Sequence, residues 1–96
     1  MVQEKHKELL IKIIVSYEPH CAIYLFGSRA QGRARAGSDI DLALDAGKKI
    51  DWRVLNNIRD DIEESVIPFF VDVVDLHNVD DAFRKEIEKD LIAWNK

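Results

Sequence analysis

Two aspartates, Asp39 and Asp41, stand in the run Asp39-Ile40-Asp41-Leu42-Ala43-Leu44, where polar or small residues alternate with large apolar ones. A period of two marks a half-buried strand, so Asp39, Asp41 and Ala43 share one face while Ile40, Leu42 and Leu44 take the other. The two Cα atoms then lie roughly 6.5 to 7 Å apart, close enough for their carboxylates to share a divalent ion. Like charges held this close raise each other's pKa and are costly until a cation or a proton neutralises them. Magnesium fits such a pair, because it prefers oxygen ligands and completes its shell with water and phosphate oxygens. A small Ala43 beside the pair is expected to leave that face open.

Gly27 and Ser28 precede Asp39, separated from it by ten residues. They directly follow the short β-compatible run Ala22 to Phe26, so a backbone that must approach a phosphate closely has glycine where it needs it. Between Gly27 and Ser38 lie three of the four glycines, in a loop with room for one helical turn around Arg29 to Gln31. Arg29, Arg33 and Arg35 bracket this loop, and a positive cluster there would orient a triphosphate; Arg29, next to Ser28, is the best placed.

These residues need elements to hold them. Val2, Leu9, Leu10, Ile13, Ile14 and Tyr17 recur at helical spacing opposite Glu4, Lys5, Lys7, Glu8 and Lys12, which predicts an amphipathic helix ending near Pro19. After the two strands, Asp51 is a plausible N-cap for a helix to about Ser65, with Trp52, Leu55, Ile58, Ile62 and Val66 as its apolar stripe. Phe69 to Leu76 fits a third strand, in which Asp72 and Asp75 point to opposite faces. Val79, Phe83, Ile87 and Leu91 at steps of four, with Trp94 three further on, predict a carboxy-terminal amphipathic helix. The order implies an α/β sandwich of three strands or more with helices covering one face.

Composition narrows the class. Ninety-six residues, 47% hydrophobic and 33% charged, make one folded domain and leave no length for a second core. A net charge of −4 is the wrong sign for gripping nucleic acid through its phosphates. A single cysteine, Cys21, cannot form an internal disulfide and reads as a small buried apolar residue. The apolar stretch Leu9 to Val15 is broken by Lys12 and too short to span a bilayer, so a cytoplasmic location is expected. His6, His20 and His77 are scattered singly and read as surface residues, and Trp52 and Trp94 as core or interface.

The string Gly27-Ser28, ten residues, Asp39, one residue, Asp41 resembles the signature of the nucleotidyltransferase superfamily, which includes DNA polymerase β and the aminoglycoside nucleotidyltransferases. Four fixed positions at ordinary residue frequencies match by chance roughly once in 10⁵ starts. Phe26, Ile40 and Leu42 also fit, and the length and element order look like the stand-alone minimal nucleotidyltransferases (MNT) of bacteria and archaea. The resemblance implies a single domain over residues 1–96 with the nucleotidyltransferase fold, a small mixed sheet with helices on one face and an open active-site face. It implies that Gly27 and Ser28 hold the triphosphate of ATP or another NTP, with Arg29 beside them, and that Asp39 and Asp41 bind magnesium. A third acidic residue on a later strand completes the family's site and allows a second ion; Asp72, preceded by Phe69-Phe70-Val71, matches better than Asp75.

The activity so implied is transfer of a nucleoside monophosphate, AMP from ATP, to an acceptor hydroxyl. Proteins of this kind pair with a helical HEPN protein as toxin and antitoxin, and the family implies AMP addition to a tyrosine of that partner. Two other readings are a non-catalytic antitoxin subunit that neutralises its partner by contact, and a small-molecule nucleotidyltransferase of the aminoglycoside type. Neither a membrane nor nucleic acid is expected as a partner.

Overall fold

The structure is a computed structural model, and it describes residues 2–35 and 37–96. Among the described residues seven elements follow one another: α1 (Glu4–Tyr17), β1 (Ala22–Phe26), β2 (Ile40–Asp45), α2 (Trp52–Glu63), β3 (Val71–Asp75), α3 (Asp81–Glu88) and β4 (Ile92–Ala93). The strands form one mixed sheet in the order β3-β2-β1-β4. β1 runs antiparallel to both β2 and β4, whereas β2 and β3 are parallel. The parallel pair needs a crossover, and α2 supplies it.

Alternation along β2 works as the sequence implied. Ile40, Leu42 and Leu44 are fully buried in the main core with Leu10 and Ile14 of α1, Ile58 of α2, Ile23 and Leu25 of β1 and Val73 of β3. Helices α1 and α2 therefore cover one face of the sheet. The Asp51 side chain caps α2 by accepting from the Arg53 backbone N–H at 2.8 Å. Trp52 and Val66 depart from the expected apolar stripe: Trp52 is 69% exposed and Val66 85%, because one lies at the first turn and the other beyond the last. Cys21 is buried, as expected, and burial pushes its thiol up to about 11.

The carboxy-terminal stretch differs from its periodicity. The helix begins at Asp81, with the Asp80 carboxylate accepting from the Phe83 N–H at 2.8 Å, and ends at Glu88. Leu91 keeps the stride of four, but the chain has already turned, and Ile92 and Ala93 pair with Leu25 and Tyr24. Trp94 N–H donates to the Ile23 carbonyl at 2.9 Å, and the Asn95 side chain accepts from Ile23 N–H and donates to the Cys21 carbonyl. Satisfying the outer backbone groups of β1 outweighs two more helical turns.

α3 also lies against the other face of the sheet. Ile87 joins Phe26, Ala43 and Leu76 in a second, smaller cluster. Ala43 is fully buried there, so its small side chain makes room for the helix instead of leaving that part of the face open. What stays uncovered is the end of the sheet where β2 and β3 begin.

Candidate functional site

At that end Asp41 of β2 stands directly opposite Asp72 of β3 in the parallel register. Asp39 lies one residue before β2 begins, exposed, and Asp72 is exposed as well. Asp41 is half-buried, and its carboxyl sits above the ordinary range: burial is the main cause, followed by the negative charges of Asp72 and then Asp39. The mutual repulsion anticipated for the aspartates thus acts on Asp41, although desolvation acts more strongly.

Parity along β3 separates the two candidate carboxylates. Asp75 is only 3% exposed and faces the main core, where its Oδ2 accepts from Ile50 N–H at 2.7 Å and its Oδ1 from His77 N–H at 2.9 Å. That is a structural carboxylate, tying the loop before α2 to the end of β3. Asp72 is the one beside Asp41.

β1 brings the glycine loop to the same place, since Phe26 pairs with Asp41 and Gly27 follows. Gly27 has φ +77°, and a β-carbon on it would meet the Asp41 Oδ2 at 2.3 Å. Glycine is thus required twice over, by backbone conformation and by the carboxylate above it. Where a helical turn was expected the chain makes a hydrogen-bonded turn that does not continue as a helix: Gln31 N–H donates to the Gly27 carbonyl at 3.1 Å and Arg33 N–H to that of Ser28 at 2.9 Å. Gln31 also donates to Asp90, which anchors the turn to the segment after α3.

Arg29 takes a post the sequence did not suggest. It is 7% exposed, and its Nη2 donates to the Ser38 carbonyl at 2.6 Å while its guanidinium lies 4.8 Å over the Phe69 ring. Arg33 turns back on Gln31 and is exposed. Of the histidines, His77 bonds Asp45 at 2.6 Å, and His6 meets the Phe69 ring edge-on. Sequence reasoning missed Phe69 as a partner of the loop, because nothing in a one-dimensional pattern links residue 29 to residue 69.

The donor set suits a hard cation, being all carboxylate oxygen, with Asp41 already destabilised as an anion first by burial and then by the charges of Asp72 and Asp39. Among the described residues no three acidic, histidine or cysteine side chains are drawn together into a ready-made metal cluster. Asp39 and Asp72 are exposed and Asp41 is crowded, an arrangement that a cation together with phosphate oxygens would close. Beside Asp72, a groove of about 300 Å³ runs along the β3 edge, lined also by Arg59, Ile67, Phe69 and the exposed Phe70. Among the described residues no helix is long and apolar enough to cross a membrane.

Comparison with known proteins bears on the family and the fold. A probable protein adenylyltransferase, MntA, from Haemophilus influenzae is 32% identical over 87 residues, covering 88% of this chain and 76% of that protein. A crystal structure of a toxin-antitoxin with AMP-PNP superposes with a TM-score of 0.69 at 26% identity, covering 92% of this chain and 71% of that one. The tri-AMPylated Shewanella oneidensis HEPN toxin in complex with MNT antitoxin gives a TM-score of 0.67 at 22% identity over 97% and 71% of the chains, a likeness of fold. Residues 8–93 match the polymerase beta nucleotidyltransferase family, and with the relative from H. influenzae this places the chain in that family as a nucleotidyltransferase.

Proposed function

We propose that this protein transfers AMP from ATP to a hydroxyl of a protein acceptor, a tyrosine of a helical HEPN-type partner, and acts as the antitoxin of that pair. The observation that carries the reading is the meeting of three segments at one sheet end: Gly27 beneath Asp41, and Asp41 opposite Asp72. The family, the adenylyltransferase relative and the AMP-PNP-bound neighbour support it.

In this reading Gly27 and Ser28 bind the triphosphate, the glycine by letting phosphate oxygens come close to the backbone and the serine through its hydroxyl. Asp39 and Asp41 would hold one magnesium ion, and Asp41 with Asp72 a second. Magnesium supplies charge neutralisation on the phosphate oxygens and a lowered pKa for the acceptor hydroxyl. Asp72, exposed and lining the groove, takes the acceptor's proton as the acceptor oxygen attacks the α-phosphorus and pyrophosphate leaves. The apolar lining of Phe69 and Phe70 suits an aromatic acceptor side chain. A phenol arriving on a folded partner comes already oriented, so the chain's own task is to position and neutralise.

The test is to incubate the protein with ATP, magnesium and a HEPN-type partner protein, and to weigh the intact chains. Expected is an AMP-sized gain on the partner that vanishes in Asp41→Asn and in a partner lacking the acceptor tyrosine. Neutralisation of the partner by Asp41→Asn without any adduct would replace this reading with one of inhibition by contact.

A further inference from the structure

We propose that Arg29 is a positioning residue that sets the spacing between the two carboxylate-bearing strands, and that it acts on the nucleotide only through them. Four observations carry this. First, Arg29 Nε donates to the carbonyls of Ser38 at 3.1 Å and Asp39 at 3.3 Å, and Nη2 to Ser38 at 2.6 Å, so the guanidinium grips the backbone that enters β2. Second, the same group lies over the Phe69 ring, 4.8 Å from its centre, three residues ahead of Asp72 in the segment that enters β3. Third, Ile40 N–H donates to the Phe70 carbonyl at 2.9 Å, closing the β2-β3 ladder at this level. Fourth, Arg29 is 7% exposed and follows Ser28 directly.

One planar cation therefore touches all three segments that carry the site: the glycine turn, the lead-in to Asp39 and Asp41, and the lead-in to Asp72. Asp41 and Asp72 face each other with like charge across these strand ends, and a brace on both lead-ins opposes the separation that their repulsion favours. Behind Phe69, the ring of His6 meets it edge-on at 5.7 Å and links the brace to α1. Lysine cannot replace the arrangement, since a point charge offers neither the fork for two carbonyls nor a plane to lay on the ring.

The inference rests on the reading of Asp39, Asp41 and Asp72 as the metal and nucleotide site, and its test separates the two. Amide hydrogen exchange on the ligand-free chain is compared for wild type, Arg29→Lys, Arg29→Met and the milder Phe69→Leu. Mn²⁺ binding is followed by its spin resonance with AMP-PNP or AMP present. Both arginine variants are expected to exchange Ile40 and Asp41 faster while the α1 amides hold. They are also expected to need about tenfold more Mn²⁺, the usual cost of losing a residue that orients a metal ligand. Phe69→Leu is expected to shift both readouts the same way by about threefold. In all variants the preference for AMP-PNP over AMP is expected to remain.

Arg29→Lys binding like wild type, or Arg29→Met losing the triphosphate preference with unchanged exchange, would overturn the proposal by making Arg29 a phosphate ligand. Were wild type to bind neither Mn²⁺ nor AMP-PNP, the functional reading would fail, and the exchange rates would still decide whether Arg29 braces the strands.

Discussion

Gly27 lies so close beneath Asp41 that a β-carbon on the glycine would sit 2.3 Å from the carboxylate Oδ2. The Gly-Ser pair and the paired aspartates, separate in the sequence, are thus one packed unit. Gly27→Ala is expected to push the carboxylate aside and to strain a backbone held at φ +77°. Expected are a transfer rate reduced on the order of 10²-fold and a stability loss of about 1–2 kcal/mol, measured by intact-mass kinetics and thermal melting. A fully active Gly27→Ala would mean that the carboxylate need not stay where it is seen.

Asp41→Asn separates chemistry from folding. The Asp41 carboxyl is raised in the folded chain, so the fold favours its neutral form. Its stabilising effect is greatest below the ordinary carboxylate value of 3.8 and is lost as pH rises through the folded value. At neutral pH the ionised group therefore costs stability, and the asparagine variant is expected to melt at or above wild type while losing transfer on the order of 10²-fold or more. The gap between the two melting curves should close toward pH 3.

Asp72 and Asp75 are expected to behave in opposite ways. Asp75→Ala strips the acceptor from two backbone N–H groups, Ile50 and His77, one of them buried, and should cost about 3 kcal/mol. Its folded fraction should still transfer AMP. Asp72→Asn, on an exposed side chain, should leave melting within about 0.5 kcal/mol and abolish transfer. Denaturant melts and single-turnover assays on both variants check this, and an exchange of the two outcomes would reverse the assignment.

Ligand linkage offers a test without any partner. Magnesium with AMP-PNP is expected to raise the melting temperature, by the equivalent of about 2.7 kcal/mol when the free complex is at a hundred times its Kd. Neither component alone should match the pair. An unshifted melt at millimolar concentrations of both would count against the site.

The Asp45 and His77 pair marks the far end of β2. Asp45 is held below its ordinary value first by the Gly47 N–H and then by His77. Its contribution is present above the ordinary value of 3.8 and lost as pH falls through the lowered folded one. Both side chains are partly exposed, so His77→Ala should cost less than about 1 kcal/mol at pH 7 and leave transfer intact.

How much of this was legible in the sequence varies with how local the cause is. Period two along residues 39 to 44 put Asp41 on the outward face and Ile40, Leu42 and Leu44 in the core, and the same parity divided Asp72 from Asp75. These readings worked because strand geometry fixes the side of every residue once the strand is known. The end of α3 was illegible for the opposite reason. Leu91 continues a helical stride, and only the vacant outer edge of β1, a partner distant in sequence, draws Ile92 and Ala93 out of it. The contacts of Arg29 were hidden in the same way: its charge suggested phosphate, and the carbonyls of Ser38 and Asp39 and the ring of Phe69 become its neighbours only after folding. Ala43, read as open surface, is covered by a helix whose position depends on the fold of the last thirty residues.

The short β4 has one more outcome, for how the molecule tolerates being cut or fused. Ile92, Ala93 and the side chain of Asn95 close the outer side of β1, the strand that leads straight into Gly27. Removing the residues after Lys89 would bare a row of unpaired backbone groups on a strand of Ile23, Tyr24, Leu25 and Phe26, a sticky edge inviting a second copy. A tag joined after Lys96 leaves this latch in place, whereas a shortened chain would trade solubility for an aggregate seeded one step from the nucleotide loop.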